Sequence, residues 1–216
     1  MQRAEIAARA AGGEPVAVVD CDLGGMDLAG LDLAGWRFQR CGMKAVRFVG
    51  AVLDGVVFDG CRGAGADFAA ARLGEAVLTG CDFNNGSFAG AVLTGARIAG
   101  CKLTGADLRK AGTIGLTVAD SLLVSARLAG VSFRKAHLKA VDFSLADLTR
   151  ADFREAVFEG SSLREALTEG ARFEGADLRG ADLGGLKLGE AARFKGAMIS
   201  RAQAAALLAE LGLRVA

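Results

Sequence analysis

A five-residue period runs through most of this chain and limits its fold more than any other feature. From Val16 to Glu190 the sequence divides into 35 consecutive pentads without an insertion or deletion. The third position is Leu, Phe, Ile, Val or Met in 32 pentads, and the first is Ala, Cys, Val, Ser or Gly in 30. The fifth position is Gly in 19 pentads. Self-similarity at a fixed short period predicts a solenoid of stacked units.

Neither a helix nor an ordinary strand accounts for a period of five. An amphipathic helix repeats every 3.6 residues, and a half-buried strand alternates every two. A short extended stretch followed by a tight bend does fit, because its first and third side chains point inward and the last residue of the bend often needs a positive φ. We therefore interpret each pentad as one side of a coil.

The cysteines indicate how many sides make one coil. All five occupy the first position and recur at a constant spacing of four pentads, at Cys21, Cys41, Cys61, Cys81 and Cys101. Four pentads per coil would stack these thiols in one inward ladder at a spacing of about 4.8 Å. The sequence thus predicts a square cross-section, and 35 pentads then make about nine coils in a rod of about 42 Å.

The consensus Ala-Asp-Leu-x-Gly, seen for example at Ala106-Asp107-Leu108, resembles the pentapeptide-repeat family. The resemblance covers residues 16–190, about four-fifths of the chain. It implies an all-β solenoid, a right-handed quadrilateral β-helix, and the handedness rests on the resemblance alone. Such a repeat specifies a fold and leaves the function open.

Both ends of the repeat look like caps, which a solenoid needs because its end coils have unpaired edges. Residues 1–15 are expected to form an N-terminal cap with a helix at 4–11, and residues 16–199 the β-helix. After Glu190 the phase shifts by one residue. Residues 200–216 are expected to form a C-terminal helix, because Ser200 and Gln203 make a capping box and Gly212 supplies a stop.

The C-terminal segment contains more large apolar residues than a short helix can bury. Either they cover the edge of the last coil or they meet the same surface of a second chain, and we favour a homodimer. The predicted dimer interface consists of Leu207, Leu208, Leu211 and Leu213.

The segment 199–204, followed by Leu207-Leu208 and Leu211-Gly212-Leu213, resembles the C-terminal end of the Qnr quinolone-resistance proteins and their mycobacterial relative. That resemblance implies a rod-shaped dimer that binds DNA gyrase or topoisomerase IV and protects it from poisons by resembling duplex DNA. Qnr proteins carry projecting loops between coils. This uninterrupted repeat has none, like the mycobacterial relative.

The charge balance predicts only partial DNA mimicry. With 26 basic and 25 acidic residues the net charge is +1, so no bulk field favours direct binding of nucleic acid or an anionic membrane. About 42 Å of B-DNA would carry roughly 25 negative charges, whereas the coils contain 22 acidic and 20 basic residues. Residues 102–139 are mainly basic. The acidic residues that follow form a candidate partner-binding patch: Asp142, Asp147, Asp152, Glu155, Glu159, Glu165, Glu169, Glu174, Asp177 and Asp182.

The residues that enzymes use are not arranged for catalysis. His137 is the only histidine, and it occupies an outward position. The cysteines are interpreted as small core residues, so neither a metal nor a cofactor is expected. The third-position column is interrupted at Gly63, Thr113 and Thr168, and the pentad 111–115 is the most irregular. One interpretation of this pentad is a local bulge or groove. We favour the other, an irregular stretch of the repeat without a binding role.

No apolar run is long enough to span a membrane and the N-terminus has no signal-peptide core, so a cytoplasmic protein is expected. Three functional hypotheses remain open. The first is a non-enzymatic dimer that shields gyrase or topoisomerase IV from a quinolone or peptide poison. The second is a structural or adaptor rod unrelated to topoisomerases, and the third is a scaffold selected only for stability.

Overall fold

The computed structural model describes residues 2–185, 191–210 and 212–214. Nine short strands, one in each coil, form a single parallel sheet in chain order. The strands are β1 (Ala17–Val19), β2 (Arg37–Gln39), β3 (Val57–Asp59), β4 (Val77–Thr79), β5 (Arg97–Ala99), β6 (Thr117–Ala119), β7 (His137–Lys139), β8 (Val157–Ser162) and β9 (Asp177–Asp182). From the first strand to the last, the chain makes about eight turns of an all-parallel β-solenoid.

The first seven strands occupy one of four sides, which we call face 1, and β8 and β9 continue from this face around the corner into the next side. Faces 2, 3 and 4 follow it in each coil, and they are joined to the next coil by isolated parallel bridges such as Asp22 to Gly42. The inter-coil hydrogen bonds repeat. Third-position N–H groups donate to second-position carbonyls of the next coil, as from Leu33 to Val52 at 2.8 Å, and Thr113 is an exception. The square coil of four pentads, predicted from the cysteine spacing, is confirmed.

The corners explain two columns of the repeat. The fifth residue of the pentad is left-handed, with φ of 68° at Gly25 and 61° at Lys135. Aspartates in the second position form a turn, because the side-chain oxygen of Asp22 accepts the N–H of Gly24 at 2.9 Å. The same contact recurs in ten further pentads. It pairs a corner N–H, so Asp is favoured there for turn chemistry as well as for solubility.

The buried core contains two separate groups of aromatic rings. The amino-terminal aromatic stack consists of Trp36, Phe38, Phe48, Phe58, Phe68, Phe83 and Phe88. The carboxy-terminal aromatic stack consists of Phe133, Phe143, Phe153, Phe158, Phe173 and Phe194. The segment between them, 89–132, has no aromatic residue, so leucine, isoleucine, valine and alanine fill that part of the core.

One interruption of the core column has a packing reason. A Cβ atom added to Gly63 would lie 2.5 Å from Cε1 of Phe83. The Phe83 ring also meets Phe58 and Phe68 edge to face, with centroids 5.8 and 5.2 Å apart. Gly63 therefore provides the space that admits this ring, and it is not a defect of the repeat.

Helices lie at both ends of the rod. Helix α1 (Arg3–Ala11) covers the first coil, because Ile6 is fully buried and Nε of Arg3 donates to the carbonyl of Asp27 at 2.7 Å. After β9 a short 3-10 helix (Ala191–Phe194) leads to α2 (Arg201–Glu210). Asp177 pairs with Met198, one position later in the chain than the repeat would place its partner, so the expected phase shift is present.

Candidate functional site

The junction between α2 and the last coil is held by one side chain, Gln203. Its backbone N–H donates to Oγ of Ser200 at 3.2 Å, and its Oε1 accepts the N–H of Ser200 at 2.6 Å, which makes the predicted capping box. Its Nε2 also donates to the carbonyls of Leu178 and Ala181, both at 2.7 Å. Gln203 therefore fixes the start of the helix to the open edge of the solenoid.

The structure divides the four leucines of the predicted dimer interface. Leu207 is buried, with 6% of its surface exposed, and it lines a cavity of about 310 Å³ between α2 and the last coil. Leu208 and Leu213 are 37% and 56% exposed. Leu211 lies outside the described residues. Leu207 therefore covers the edge of the last coil, which was the first alternative. Leu208 and Leu213 remain exposed, as the second alternative, contact with another chain, requires.

Exposed apolar side chains extend this C-terminal surface. Met198 and Ile199, which precede α2, are 46% and 40% exposed. Together with Leu208 and Leu213 they leave an apolar end to the rod. Several such residues at one end of a molecule are typical of a protein–protein contact.

The ten acidic residues of the candidate patch do not share one side of the rod. Their positions in the coil place Glu159 and Asp177 on face 1, Asp142, Glu165 and Asp182 on face 2, Asp147 and Glu169 on face 3, and Asp152, Glu155 and Glu174 on face 4. They form an acidic belt around coils near the C-terminal end.

Most of the acidic belt is neutralised locally. Six of its carboxylates have a cationic partner, in the pairs Asp152–Arg154, Glu155–Arg134, Glu159–Lys139, Glu174–Arg172, Asp177–Arg179 and Asp182–Arg164. The hydrogen bond from Arg154 lowers the pKa of Asp152. Two further carboxylates accept a corner N–H. In the part of the chain that the structure describes, the last two, Glu165 and Glu169, have no ion pair, so they carry the least compensated charge of the belt.

Charge is also balanced from face to face. Over residues 16–185 each face carries five or six acidic and four or five basic residues. A rod that imitated duplex DNA by charge would present at least one strongly anionic face. No face of this rod is strongly anionic, so a likeness to DNA would rest on the shape of the rod and not on its charge.

The cysteine ladder has a structural role in the corner between faces 1 and 2. Cys41, Cys61, Cys81 and Cys101 are buried and all five thiols are free. Each sulfur lies 3.3–3.7 Å from the carbonyl two residues before it and donates to it. Ser121 continues the column with the same contact. Burial raises the pKa of Cys41, and hydrogen bonds with neighbouring thiols raise that of Cys81.

His137 lies on face 1 and its Nε2 is 3.0 Å from a carboxylate oxygen of Glu159. Among the described residues, no three His, Cys, Asp or Glu side chains are grouped so as to hold a metal ion. None of the helices in the described ranges is long and apolar enough to cross a bilayer.

A solenoid of short parallel strands with four faces and a terminal helix defines the class of the protein. The family model of pentapeptide repeats matches eight copies, over residues 43–80, 71–109, 126–164 and 156–191, which together make up more than half of the chain. The chain belongs to the pentapeptide-repeat family.

Solved structures match over nearly the whole chain. Full-length QnrB1, a plasmid-mediated fluoroquinolone resistance protein, superimposes with a TM-score of 0.83 at 23% identity, covering 91% of this chain and 100% of QnrB1. Two trypsin-treated variants of QnrB1 give TM-scores of 0.82 and 0.76, both at 24% identity, covering 92% and 94% of this chain and 99% and 98% of theirs. A search of curated proteins finds no significant match. The superposition confirms the predicted quadrilateral β-helix.

Proposed function

We propose that this protein is a non-enzymatic, cytoplasmic, homodimeric rod that binds DNA gyrase or topoisomerase IV and protects it from quinolone-like or peptide poisons. The observation that carries the proposal is the extent of the likeness to QnrB1, which covers all of that chain with a TM-score of 0.83. A partner that recognises the shape of such a rod would meet the same dimensions here.

The C-terminal end supports the dimeric part of the proposal. Leu208 and Leu213 are exposed beside a helix that Gln203 anchors to the last coil. Because α2 is fixed to the rod, two copies that meet through this end would form one continuous rigid body rather than two flexibly linked rods. The acidic belt, including Glu165 and Glu169, would then be doubled around the centre of the dimer.

The functional test is a gyrase supercoiling assay with and without a fluoroquinolone. We expect micromolar protein to restore supercoiling in the presence of the drug. If the protein neither inhibits gyrase nor restores its activity at these concentrations, the proposal fails.

The dimer test uses Leu208→Asp combined with Leu213→Asp, measured by light scattering. Leu207 is unsuitable because it is buried against its own coil, so its replacement would also disturb folding. The matched control is Leu145→Asp, at an exposed corner leucine of the repeat. We expect the double variant to be a monomer that no longer protects gyrase and the control to keep the wild-type mass. An unchanged mass in the double variant would remove the interface assignment.

A second candidate is an adaptor rod that docks other proteins on its flat sides and has no connection with topoisomerases. The observation that favours it is the even distribution of charge, since each face carries nearly equal numbers of acidic and basic residues. Under this alternative, the supercoiling assay is negative although the protein is a folded dimer.

A further inference from the structure

Among the residues that the structure describes, the hydrogen-bond ladder between coils opens where residues 110–117 face residues 132–137. Within the described residues, five inter-coil backbone bonds that the repeat requires are missing at this step. Their donors would be the N–H groups of Lys110, Thr113, Gly115, Ser132 and His137. The same five positions one coil earlier, Gly90, Leu93, Gly95, Gly112 and Thr117, all donate normally, at 2.7–3.0 Å.

A side-chain hydrogen bond takes the place of one of the missing backbone bonds. Oγ1 of Thr113 donates to the carbonyl of Ser132 at 2.7 Å, the carbonyl that the Thr113 N–H would otherwise contact. Strand β6 pairs with β7 at Ala119 and Lys139 alone, whereas neighbouring strands pair over three residues. Thr113 follows Leu93 and precedes Phe133 in its inward column, and its hydroxyl takes the carbonyl that the backbone ladder would use.

The separated coils enclose a cleft of about 460 Å³, which we call the parted corner. One wall is formed by residues 113–117 and the other by 132–137. Leu116 and Phe133 are buried at its base, and Ile114 stands out from the first wall with 79% of its surface exposed. Arg134, Lys135 and His137 line the second wall.

The cleft walls present main-chain groups of both kinds. The N–H groups of Gly115 and Ser132 face a space that the ladder normally closes, as do the carbonyls of Ala111 and Arg134, their usual acceptors. A β-solenoid ordinarily has such unpaired edges only at its ends, where caps protect them. Unpaired main-chain groups on a strand edge are the contacts by which an extended peptide adds to a sheet.

The charge around the parted corner selects the kind of peptide. The corner lies in the segment 102–139, where seven Lys and Arg residues stand against Asp107 and Asp120. Two carboxylates of the next coil compensate some of this charge. Glu155 contacts Arg134 at 2.8 Å and Lys135 at 3.5 Å, and Glu159 lies 3.0 Å from His137 and 3.9 Å from Lys139. Lys110, at the edge of the opening, has no ion pair in the described portion of the chain. The remaining field is positive and favours acidic side chains.

We propose that the parted corner binds an extended acidic segment of a partner protein, which pairs its main chain with the open ladder and contacts Ile114 with an apolar side chain. The proposal does not depend on gyrase: it concerns a different surface, at the middle of the rod.

Hydrogen exchange measured by NMR tests the open ladder directly. We expect the N–H groups of Gly115, Ser132 and His137 to exchange at least about tenfold faster than those of Gly95, Gly112 and Thr117, because they lack an inter-coil acceptor. Equal protection of the two sets would show that the ladder is closed in solution and would overturn the proposal.

Peptide binding is tested by fluorescence anisotropy with a labelled pentapeptide of alternating Glu and Val. Two comparison peptides carry Lys in place of Glu, or N-methyl groups on alternate amides. We expect binding of the acidic peptide only, because the Lys peptide is repelled and N-methylation removes the main-chain donors. Absence of binding, or equal binding of either comparison peptide, contradicts the proposal.

Two variants locate the site. Thr113→Leu restores the apolar column, so we expect it to close the corner and abolish peptide binding. Lys135→Asn removes a rim charge while keeping a residue that tolerates the left-handed corner, where φ is 61°. It should weaken binding about three- to fivefold, the range of one exposed charge contact. Arg150→Asn, at another left-handed corner with φ of 58°, is the matched control. Equal effects of Lys135→Asn and Arg150→Asn, or full binding by Thr113→Leu, would contradict the assignment.

Discussion

Leu93 and Thr113 occupy the same third position of the repeat in successive coils, yet the hydrogen-bond ladder between coils is closed only at Leu93. The N–H of Leu93 donates to Gly112 at 2.7 Å, whereas at Thr113 the side-chain hydroxyl takes over the equivalent carbonyl. The pentad period is uninterrupted through both. The difference shows that the repeat sets the register of the coils, while the chemistry of the inward side chain affects whether neighbouring coils close. The hydroxyl of Thr113 occupies the carbonyl of Ser132, whereas at Gly63, which has no side chain, the N–H still donates to Asp82 at 2.7 Å. Four predictions, in order of decreasing effect, test this view.

The largest effect is expected where the closed coils pack most tightly. Phe68 stacks on Phe48 and Phe88, with ring centroids 5.1 and 4.8 Å apart. Phe68→Ala should lower the free energy of unfolding by about 3–5 kcal/mol, because it leaves a cavity in the amino-terminal aromatic stack. Urea unfolding followed by circular dichroism measures it. A loss below about 1 kcal/mol would mean that the closed coils are no better packed than the parted corner.

Two glycines give a matched comparison. Gly63→Ala places a Cβ against the Phe83 ring and should cost about 1–3 kcal/mol through overpacking. Gly112→Ala, beside the parted corner, has no atom within 4 Å of the new Cβ and should change the free energy of unfolding by less than about 0.5 kcal/mol. Thermal unfolding of both variants checks this, and equal destabilisation would erase the distinction between the two regions.

Filling the parted corner should stabilise the rod. Thr113→Leu adds apolar surface to a position that is 7% exposed, and we expect a gain of about 1 kcal/mol in the free energy of unfolding. The variant should also slow exchange of the Gly115 and Ser132 amides. A destabilised protein in which these amides still exchange quickly would show that more than side-chain volume keeps the coils apart.

The smallest effect concerns Asp107, a carboxylate buried just before the parted corner. The hydrogen bond from Arg109 lowers the pKa of Asp107 below its ordinary value of 3.8, and Arg127 lies 3.1 Å away. A lowered native pKa contributes stability that is present above the unfolded pKa and is lost as the pH falls through the folded value. Asp107→Asn, which retains the turn contact, should destabilise by about 1 kcal/mol or less at pH 7.

The energy gap between this variant and the wild type should narrow between pH 7 and about pH 2, because the stability contributed by the lowered pKa of Asp107 is lost as the pH falls through the folded value. Chemical unfolding at the two pH values measures the difference. An energy gap that stays constant between them would show that the ion pairs of Asp107 do not stabilise the coil.

Much of the fold follows from the period, and less of the candidate sites does. The cysteine spacing predicted the coil of four pentads, and Ser200 with Gln203 predicted the start of α2. Gln203 also binds two carbonyls of the last coil, a contact with no local signal because its partners belong to a distant stretch of the chain. In the sequence Gly63 interrupts the core column, because nothing in its own pentad shows that Phe83 of the next coil fills its place.

The sequence by itself determined the number of sides, the inward columns and the left-handed corners, because an unbroken period fixes the register of every residue in a parallel stack. The tertiary structure decided which residues meet across coils. It paired most carboxylates of the acidic belt with basic side chains, turned Leu207 inward and Leu208 outward, and opened the ladder at Thr113. These outcomes depend on contacts between residues of different coils, which a position in the repeat does not specify.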